Sequence, residues 1–303
     1  MASGDTEIKV GSRMVELSNL DKVFYPETGF TKGDVIDYYR AVAPVLLPHL
    51  RGRPITLKRY PNGVEGQFFY EKECPSHRPE WVKTAAIIRG RDGKAVNYCV
   101  INDEASLVWA ANLADLELHT SLAVARNVER PQTMVFDLDP GTPAGLVECC
   151  EIALALRGML ASGGLDGFAK TSGSKGLQIF VPLNTATNYD DTKAFAHAFA
   201  RILEEERPEA VLSKPRRADR EGKVFVDWSQ NARHKTTVSV YSLRARPRPT
   251  ASTPVTWDEV AATAEGGGAE ALVFEHNETL ARIEAHGDLF EPILTTKQRL
   301  PKI

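Results

Sequence analysis

The chain has 303 residues, 43% of them hydrophobic and 25% charged, with a formal net charge of −3 at pH 7. Such a length buries a sizeable core in one large domain or two lobes, and the composition is that of an ordinary globular protein. The slightly acidic balance excludes a uniformly basic nucleic-acid binder; without an apolar run of about 18 residues or a signal-peptide pattern, no membrane partner is expected and the expected compartment is the cytoplasm.

From the N-terminus, Val15-Glu16-Leu17 reads as a short strand. Thr31 then caps a helix, with Asp34 at the capping-box position and Val35, Ile36, Tyr38, Tyr39 and Val42 on its buried side. Lys22 and Lys32 flank that helix entry, where free N–H groups and a positive partial charge suit a phosphate; two lysines in a turn are as readily a solvated surface. Arg51 to Pro61 reads as loop, strand and turn. In Phe68-Phe69-Tyr70, alternation sets Phe69 on the face opposite the other two, so at least one ring is expected in the core. An exposed ring beside Lys58, Arg59 and Lys72 would be a stacking platform for a base. A hairpin is predicted from Ala86-Ile87-Ile88 to Ala95–Val100, turning at Arg91-Asp92-Gly93. Ser106 is expected to cap a helix through Leu107, Val108, Trp109, Leu113 and Leu116 that ends near Leu118-His119. A lone His at a helix end is more often a packed or capping residue than a catalytic one. Cys74, Cys99, Cys149 and Cys150 show no metal-ligand spacing, and the last two, adjacent on a predicted helix, suit reduced, packed thiols.

Three stretches carry chemistry. Thr133-Met134-Val135-Phe136-Asp137-Leu138-Asp139-Pro140 reads as a buried strand whose Asp137 and Asp139 share one face. Two carboxylates so close repel unless a cation sits between them, and Mg²⁺ or Mn²⁺ ions suit phosphoryl transfer; two solvated acids at a strand end are the plainer alternative. An amphipathic helix over residues 143–161, with Leu146, Val147, Cys150, Leu154 and Met159 inward, ends at Gly163-Gly164. Next, Lys170 to Pro182 contains Ser172-Gly173-Ser174-Lys175-Gly176, a tight loop whose N–H groups can wrap phosphate oxygens. It is not a Walker A loop, since a strand follows it. A helix over Thr192–Glu206 leads to the third stretch, Lys223 to Asn231, where Asp227 again ends an apolar strand. Between Ser213 and Arg248 positive charges exceed negative ones by seven, a local patch for a phosphate-rich ligand, balanced by an acidic tail from Trp257 to Glu291. Three strand-end acids, a Gly/Ser/Lys loop and a basic cluster are together the parts of a nucleotidyl-transfer site.

In this order and spacing, FDLDP, TSGSKGLQIFVP and VFVDWSQN resemble the signature motifs of the archaeo-eukaryotic primase superfamily. More narrowly the chain resembles the polymerase domain of bacterial DNA ligase D, the non-homologous end-joining polymerase. The likeness runs from LSNLDKVFYP through GRPITLKRYPNG and SVYSLRARPRPT to HGDLFEPI. It implies a mixed α/β (α+β) primase-polymerase fold with an RRM-like catalytic sheet, here residues 131–303, and a smaller N-terminal lobe, 1–130, that binds the DNA end. Asp137, Asp139 and Asp227 would be the catalytic carboxylates and hold two divalent ions, Mn²⁺ or Mg²⁺. His119, Ser172, Gly173, Lys175, Gly176, Gln230, Lys235 and Arg244 would bind the nucleotide. Asn19, Lys22 and Lys32 would bind a DNA 5′-phosphate, and Lys58, Arg59, Phe69, Tyr70 and Lys72 would contact the template. The implied activity is metal-dependent addition of (ribo)nucleoside triphosphates at short gaps and broken DNA ends, in double-strand-break repair at the nucleoid. A Ku-like protein and an ATP-dependent DNA ligase are the implied protein partners. No ligase or nuclease segment is visible, which fits an excised domain or a stand-alone enzyme. Competing readings are a primase-polymerase that starts strands unaided, an end-bridging scaffold that uses catalysis little, and a metal-dependent nuclease, which would not need the Ser172–Gly176 loop.

Overall fold

The computed structural model describes residues 6–88, 93–214 and 217–301, and its chain sorts into two units. Met1–Arg126, Thr236–Ala251 and Glu275–Gly287 form the first; Asn127–Lys235, Ser252–Phe274 and Asp288–Ile303 form the second.

In the first unit, β1 (Thr6–Val10) and β2 (Arg13–Leu17) form one hairpin, and β3 (Val23–Tyr25) and β4 (Phe30–Thr31) another. Helix α1 (Lys32–Leu50) starts as the sequence implies. The Asp34 amide donates to Thr31 Oγ1 and the Thr31 amide donates to Asp34, a reciprocal cap worth about 1 kcal/mol. Strand β5 (Ile55–Arg59) pairs with β6 (Phe69–Glu71), and β7 (Lys83–Ile88) with β8 (Ala95–Val100) in the expected hairpin, whose turn residues Arg91 and Asp92 lie outside the described residues.

Two expectations fail here. Helix α2 (Glu104–Asn112) is capped by Asp103, not by Ser106, which sits three residues in and closes the box from the other side. Asp is as good a cap as Ser, so the helix starts a turn earlier. It also ends earlier: Ala114 adopts a positive φ of 62°, and Leu116 to His119 belong to strand β9 (Asp115–Thr120), antiparallel to β5. The alternating pattern Asp-Leu-Glu-Leu-His is that of a strand. Cys74 and Cys99, whose spacing signals no pairing, form a disulfide; Cys74 lies at the edge of β8, where its amide donates to Asn97 O. Cys149 and Cys150 are free and buried, as expected.

The second unit is built on β10 (Thr133–Pro140). Helix α3 (Leu146–Ser162) follows, then β11 (Phe168–Thr171), β12 (Leu177–Pro182), α4 (Tyr189–Glu206), β13 (Val211–Leu212) and β14 (Val224–Asp227). β10 lies between β12 and β14, antiparallel to both. Beyond it, β15 (Thr237–Val238) returns to the first unit and pairs with β9, while β16 (Pro254–Val255) completes the second sheet beside β11. The order there is β13-β14-β10-β12-β11-β16. Helices α5 (Trp257–Ala262) and α7 (Pro292–Thr295) belong to this unit and α6 (His276–His286) to the first. Met134, Phe136 and Leu138 of β10 pack with α3 and α4 side chains, among them Cys150, Ala153, Leu156, Phe195 and Ala196. By alternation the intervening positions, Asp137 and Asp139, point to the opposite face. Within α3 the inward stripe is centred on Cys149, Ile152 and Leu156, leaving the predicted Val147, Leu154 and Met159 half-buried. The helix is apolar nearly all round, so its sequence marks the buried phase weakly. α4 begins at Tyr189 behind an Asn188 cap, three residues before the predicted start. No helix among the described residues is long and apolar enough to cross a membrane.

Candidate active site

Register sets the carboxylates of the second unit. Asp137 lies directly opposite Asp227 across the β10–β14 pair, with Asp139 two residues further along the same face. On the other side Asp137 lies opposite Gln178 of β12, whose Nε2 donates to Asp137 Oδ1 at 3.0 Å. The Gln178 amide is held in that sense by Lys170, a buried ammonium that donates to Gln178 Oε1 and to Ser252 Oγ, each at 2.6 Å. Asp227 accepts from the Ser229 amide at 2.9 Å and from Gln230 Nε2 at 2.9 Å, and Lys235 Nζ donates to Ser229 Oγ at 2.6 Å. Buried Asn231 bonds both backbone groups of Val135, pinning the turn after β14 to β10 two residues before Asp137. An Arg220 guanidinium nitrogen lies 3.6 Å from Asp139.

Burial, together with the Asp139 and Asp227 charges, pushes the Asp137 carboxyl up to about 7, against the opposing effects of Gln178 and Lys170. A carboxyl that keeps its proton near neutrality for want of positive charge, beside two more hard oxygen donors, is chemically suited to a divalent cation. Among the described residues no three such side chains converge on one point as placed; the bonds from Ser229 and Gln230 hold the Asp227 carboxylate in its present orientation.

The Ser172–Gly176 loop sits at the end of β10. Lys175 Nζ donates to Pro140 O at 2.8 Å, and Gly173 has φ +65°. A Cβ on Gly176 would lie 2.3 Å from Leu138 O, so only glycine lets the loop approach β10 so closely. Two of the amides expected to face phosphate, those of Ser174 and Gly176, donate instead to Ser172 Oγ at 3.2 and 3.1 Å.

In the first unit the cationic residues gather round a group the motifs do not signal, Glu117 on β9. It is 2% exposed and accepts from Lys58 Nζ at 3.1 Å, His119 Nε2 at 3.0 Å and the Ala245 amide at 3.0 Å. Arg244 Nε is 3.3 Å away. Burial would raise the Glu117 carboxyl, but the His119 hydrogen bond and the Arg244 and Lys58 charges hold it well below the usual carboxylate range. Burial also lowers the His119 imidazole and the Lys58 ammonium, Glu117 opposing both shifts. Phe68, Phe69 and Tyr70 are all exposed, contrary to the expectation of one core ring. The strand they enter is short and lies at the sheet edge, and β5 supplies a cation to each side. Lys58 Nζ lies 4.7 Å from the Phe68 centroid and 5.6 Å from that of Tyr70, and the Arg59 guanidinium 5.2 Å from that of Phe69. Arg59 also pairs with Glu71 at 2.7 Å, and Lys72 follows the strand, half-buried.

Asn19, Lys22 and Lys32 meet in one turn, with Asn19 at a φ of 54°. Lys22 Nζ donates to Pro61 O at 2.6 Å and Asn62 Oδ1 at 2.8 Å, and Lys32 Nζ to Ser18 O at 2.6 Å. The helix N-terminus is not open as expected: the Lys32 and Gly33 amides donate to Lys22 O and Leu20 O. The positive charge at this turn is that of the two lysine side chains, of which Lys32 is 5% exposed. The basic stretch is divided between the two units. Arg244 to Arg248 belong to the first unit, where Arg248 pairs with Glu27 and Glu275, and Arg233 pairs with Glu129 in the second. Arg216 lies outside the described residues.

The motifs also passed over Lys170, Gln178, Ser229 and Arg220 as site residues. Alternation with Asp115 and His119 was the available signal for Glu117, and pairing opposite Asp137 that for Gln178; Lys170 and Arg220 carry none.

Residues 31–290 match the protein family described as LigD, primase-polymerase domain. The multifunctional non-homologous end joining protein LigD of Mycolicibacterium smegmatis is 40% identical over 281 residues, covering 92% of this chain and 36% of that protein. The Mycobacterium tuberculosis LigD is 41% identical over 287 residues, again 36% of its length. The bifunctional LigD of Bacillus subtilis is 31% identical over 247 residues, 81% of this chain and 39% of its own. The chain thus spans a little over a third of the curated relatives it matches. Among solved structures, the polymerase domain from Mycobacterium tuberculosis ligase D in complex with DNA matches with a TM-score of 0.86 and 39% identity, over 94% of this chain and 99% of that one.

Proposed function

The chain belongs to the LigD primase-polymerase domain family, and from that membership we propose that it is a nucleotidyltransferase that extends DNA 3′ ends across short gaps and at breaks, using (ribo)nucleoside triphosphates. The observation that carries the reading is the carboxylate cluster, with Asp137 facing Asp227 in register, Asp139 beside them, and the Asp137 carboxyl pushed up to about 7 by burial and its neighbours' charge. Asp137, Asp139 and Asp227 would hold two divalent ions, Mn²⁺ or Mg²⁺. Such ions, when bound, lower the pKa of a primer 3′-hydroxyl and offset charge on the phosphates.

The chain's own groups do the rest. Gln178, fixed by Lys170, keeps one Asp137 oxygen occupied and so orients the other. Ser229 and Gln230 do the same for Asp227. Lys175 and the Ser172–Gly176 loop receive the triphosphate, the Ser174 and Gly176 amides turning from Ser172 Oγ to phosphate oxygens. In the first unit, His119 and Arg244 supply donors for phosphate, Phe69 and Tyr70 present exposed faces for template bases, and Lys58, Arg59 and Lys72 add cationic character. Asn19, Lys22 and Lys32 bind the downstream 5′-phosphate, one charge-assisted contact that sets the register of a gap. A Ku-like protein and an ATP-dependent ligase are the partners that complete the repair.

Extension of a labelled primer across a short 5′-phosphorylated gap tests this, with Mn²⁺ and Mg²⁺ and both nucleotide types. Metal-dependent incorporation that disappears in Asp137→Ala/Asp139→Ala and weakens without the 5′-phosphate is expected. Retained end binding with no incorporation under any condition would replace the polymerase with a scaffold.

A further inference from the structure

Lys58, His119 and Arg244 come from three distant points in the sequence, and one buried carboxylate touches all of them. Glu117 Oε2 takes Lys58 Nζ at 3.1 Å, His119 Nε2 at 3.0 Å and Arg244 Nε at 3.3 Å. Its Oε1 takes the Ala245 amide at 3.0 Å and the Tyr60 hydroxyl at 3.4 Å. Four hydrogen-bond donors on two oxygens, with the Arg244 guanidinium beside them as an ion pair, crowd the group, and it is 2% exposed, so it has little contact left for solvent or ligand. We infer that Glu117 is a positioning residue, which presets Lys58, His119 and Arg244 as one receptor for the phosphate groups of the incoming nucleotide.

The charge arithmetic supports a receptor rather than a closed ion-pair network. Two cationic groups, Lys58 and Arg244, contact one carboxylate, and the neighbouring Asp115 is buried and held towards its neutral form. Within this set the cationic groups outnumber the ionised carboxylate. His119 gains in a second way. With its Nε2–H donated to Glu117, Nδ1 carries the lone pair, and a proton taken up there becomes a donor to a phosphate oxygen. The Ala245 amide contact ties the backbone next to Arg244 to the same carboxylate, so one side chain sets both where Arg244 starts and where its head lies. Without Glu117 three rotamer-rich side chains must be ordered by the nucleotide itself.

This inference rests on the reading that His119 and Arg244 meet nucleotide phosphates, and the test separates the two. Glu117→Gln keeps the shape but loses the charge and exchanges one accepting oxygen for an NH2 that can only donate; Glu117→Asp keeps the charge and both acceptors on a shorter stem. The nucleotide KM in gap filling is expected to rise about tenfold or more in Glu117→Gln, with partial recovery in Glu117→Asp. A mere charge balancer would do the reverse, since its removal leaves more positive charge and tightens phosphate binding. In a Lys58→Ala/His119→Ala/Arg244→Gln background, Glu117→Gln should add almost nothing, because the residues it positions are gone. Unchanged KM in a folded Glu117→Gln protein, tighter nucleotide binding, or full additivity in that background would each overturn the inference. If the native protein incorporates no nucleotide, the polymerase reading fails. The inference is then judged by inorganic tripolyphosphate binding, which should weaken in Glu117→Gln, and by NMR titration of the His119 ring, whose proton affinity should fall.

Discussion

Replacing Asp137 by Asn should abolish incorporation and, in metal-free protein, raise stability. The Asp137 carboxyl moves from 3.8 to about 7 because it is partly withdrawn from water beside Asp139 and Asp227. Between those values the folded chain keeps a proton that the unfolded chain has released. Stability therefore falls as pH rises through this window, and the full cost persists above it. At 1.36 kcal/mol per unit, about three units set a ceiling of about 4 kcal/mol. Asp137 is only half-buried, so screening reduces this to roughly 1–3 kcal/mol, or a few degrees in Tm. Asn keeps an acceptor for Gln178 Nε2 and turns a donor towards the two remaining carboxylates. Thermal unfolding in EDTA at pH 5 and pH 8 measures the effect. The Asn variant should gain most at pH 8 and only about two-fifths as much near pH 5, where the folded Asp137 is still protonated but the unfolded one has already ionised. Adding Mn²⁺ at pH 8 should raise the native Tm and leave that of the variant nearly unchanged. Equal gains at both pH values, or a loss at pH 8, would show that the cluster is not held apart by mutual repulsion.

Gly176→Ala places a methyl 2.3 Å from Leu138 O, so it should cost about 1–3 kcal/mol and suppress nucleotide binding; denaturant unfolding and nucleotide titration read the two. Phe69→Ala, at a ring 44% exposed, should change stability by less than about 1 kcal/mol yet weaken single-stranded template binding by about 1–3 kcal/mol, measured by fluorescence anisotropy. Lys22→Ala should erase most of the preference for a 5′-phosphorylated gap over a 5′-hydroxyl one without lowering Tm, a comparison that competition binding makes directly.

Legibility in the sequence followed the locality of the forces. Thr31 and Asp34 cap α1 through atoms three residues apart, and Asp137 and Asp139 share a face by strand geometry alone; both were readable from neighbours in the chain. The α2 boundary was misjudged because Asp103 and Ser106 are interchangeable as caps and only the backbone at Ala114, with its positive φ, shows where the helix stops. The exposed Phe68-Phe69-Tyr70 run was misread because alternation decides which rings share a face, not whether either face is covered. That depends on a short edge strand meeting Lys58 and Arg59 of β5. Glu117 and Lys170 lie at the far limit. Each is a charged side chain almost without solvent contact, which sequence rules place on the surface, and each is tolerated only because several distant partners saturate it. Asp137 and Asp139, proposed as metal ligands, announce themselves by their spacing along one strand. The groups that orient them and the proposed phosphate donors are set by pairing between segments up to 127 residues apart, from Glu117 to Arg244, so they become visible only when the strands are in register.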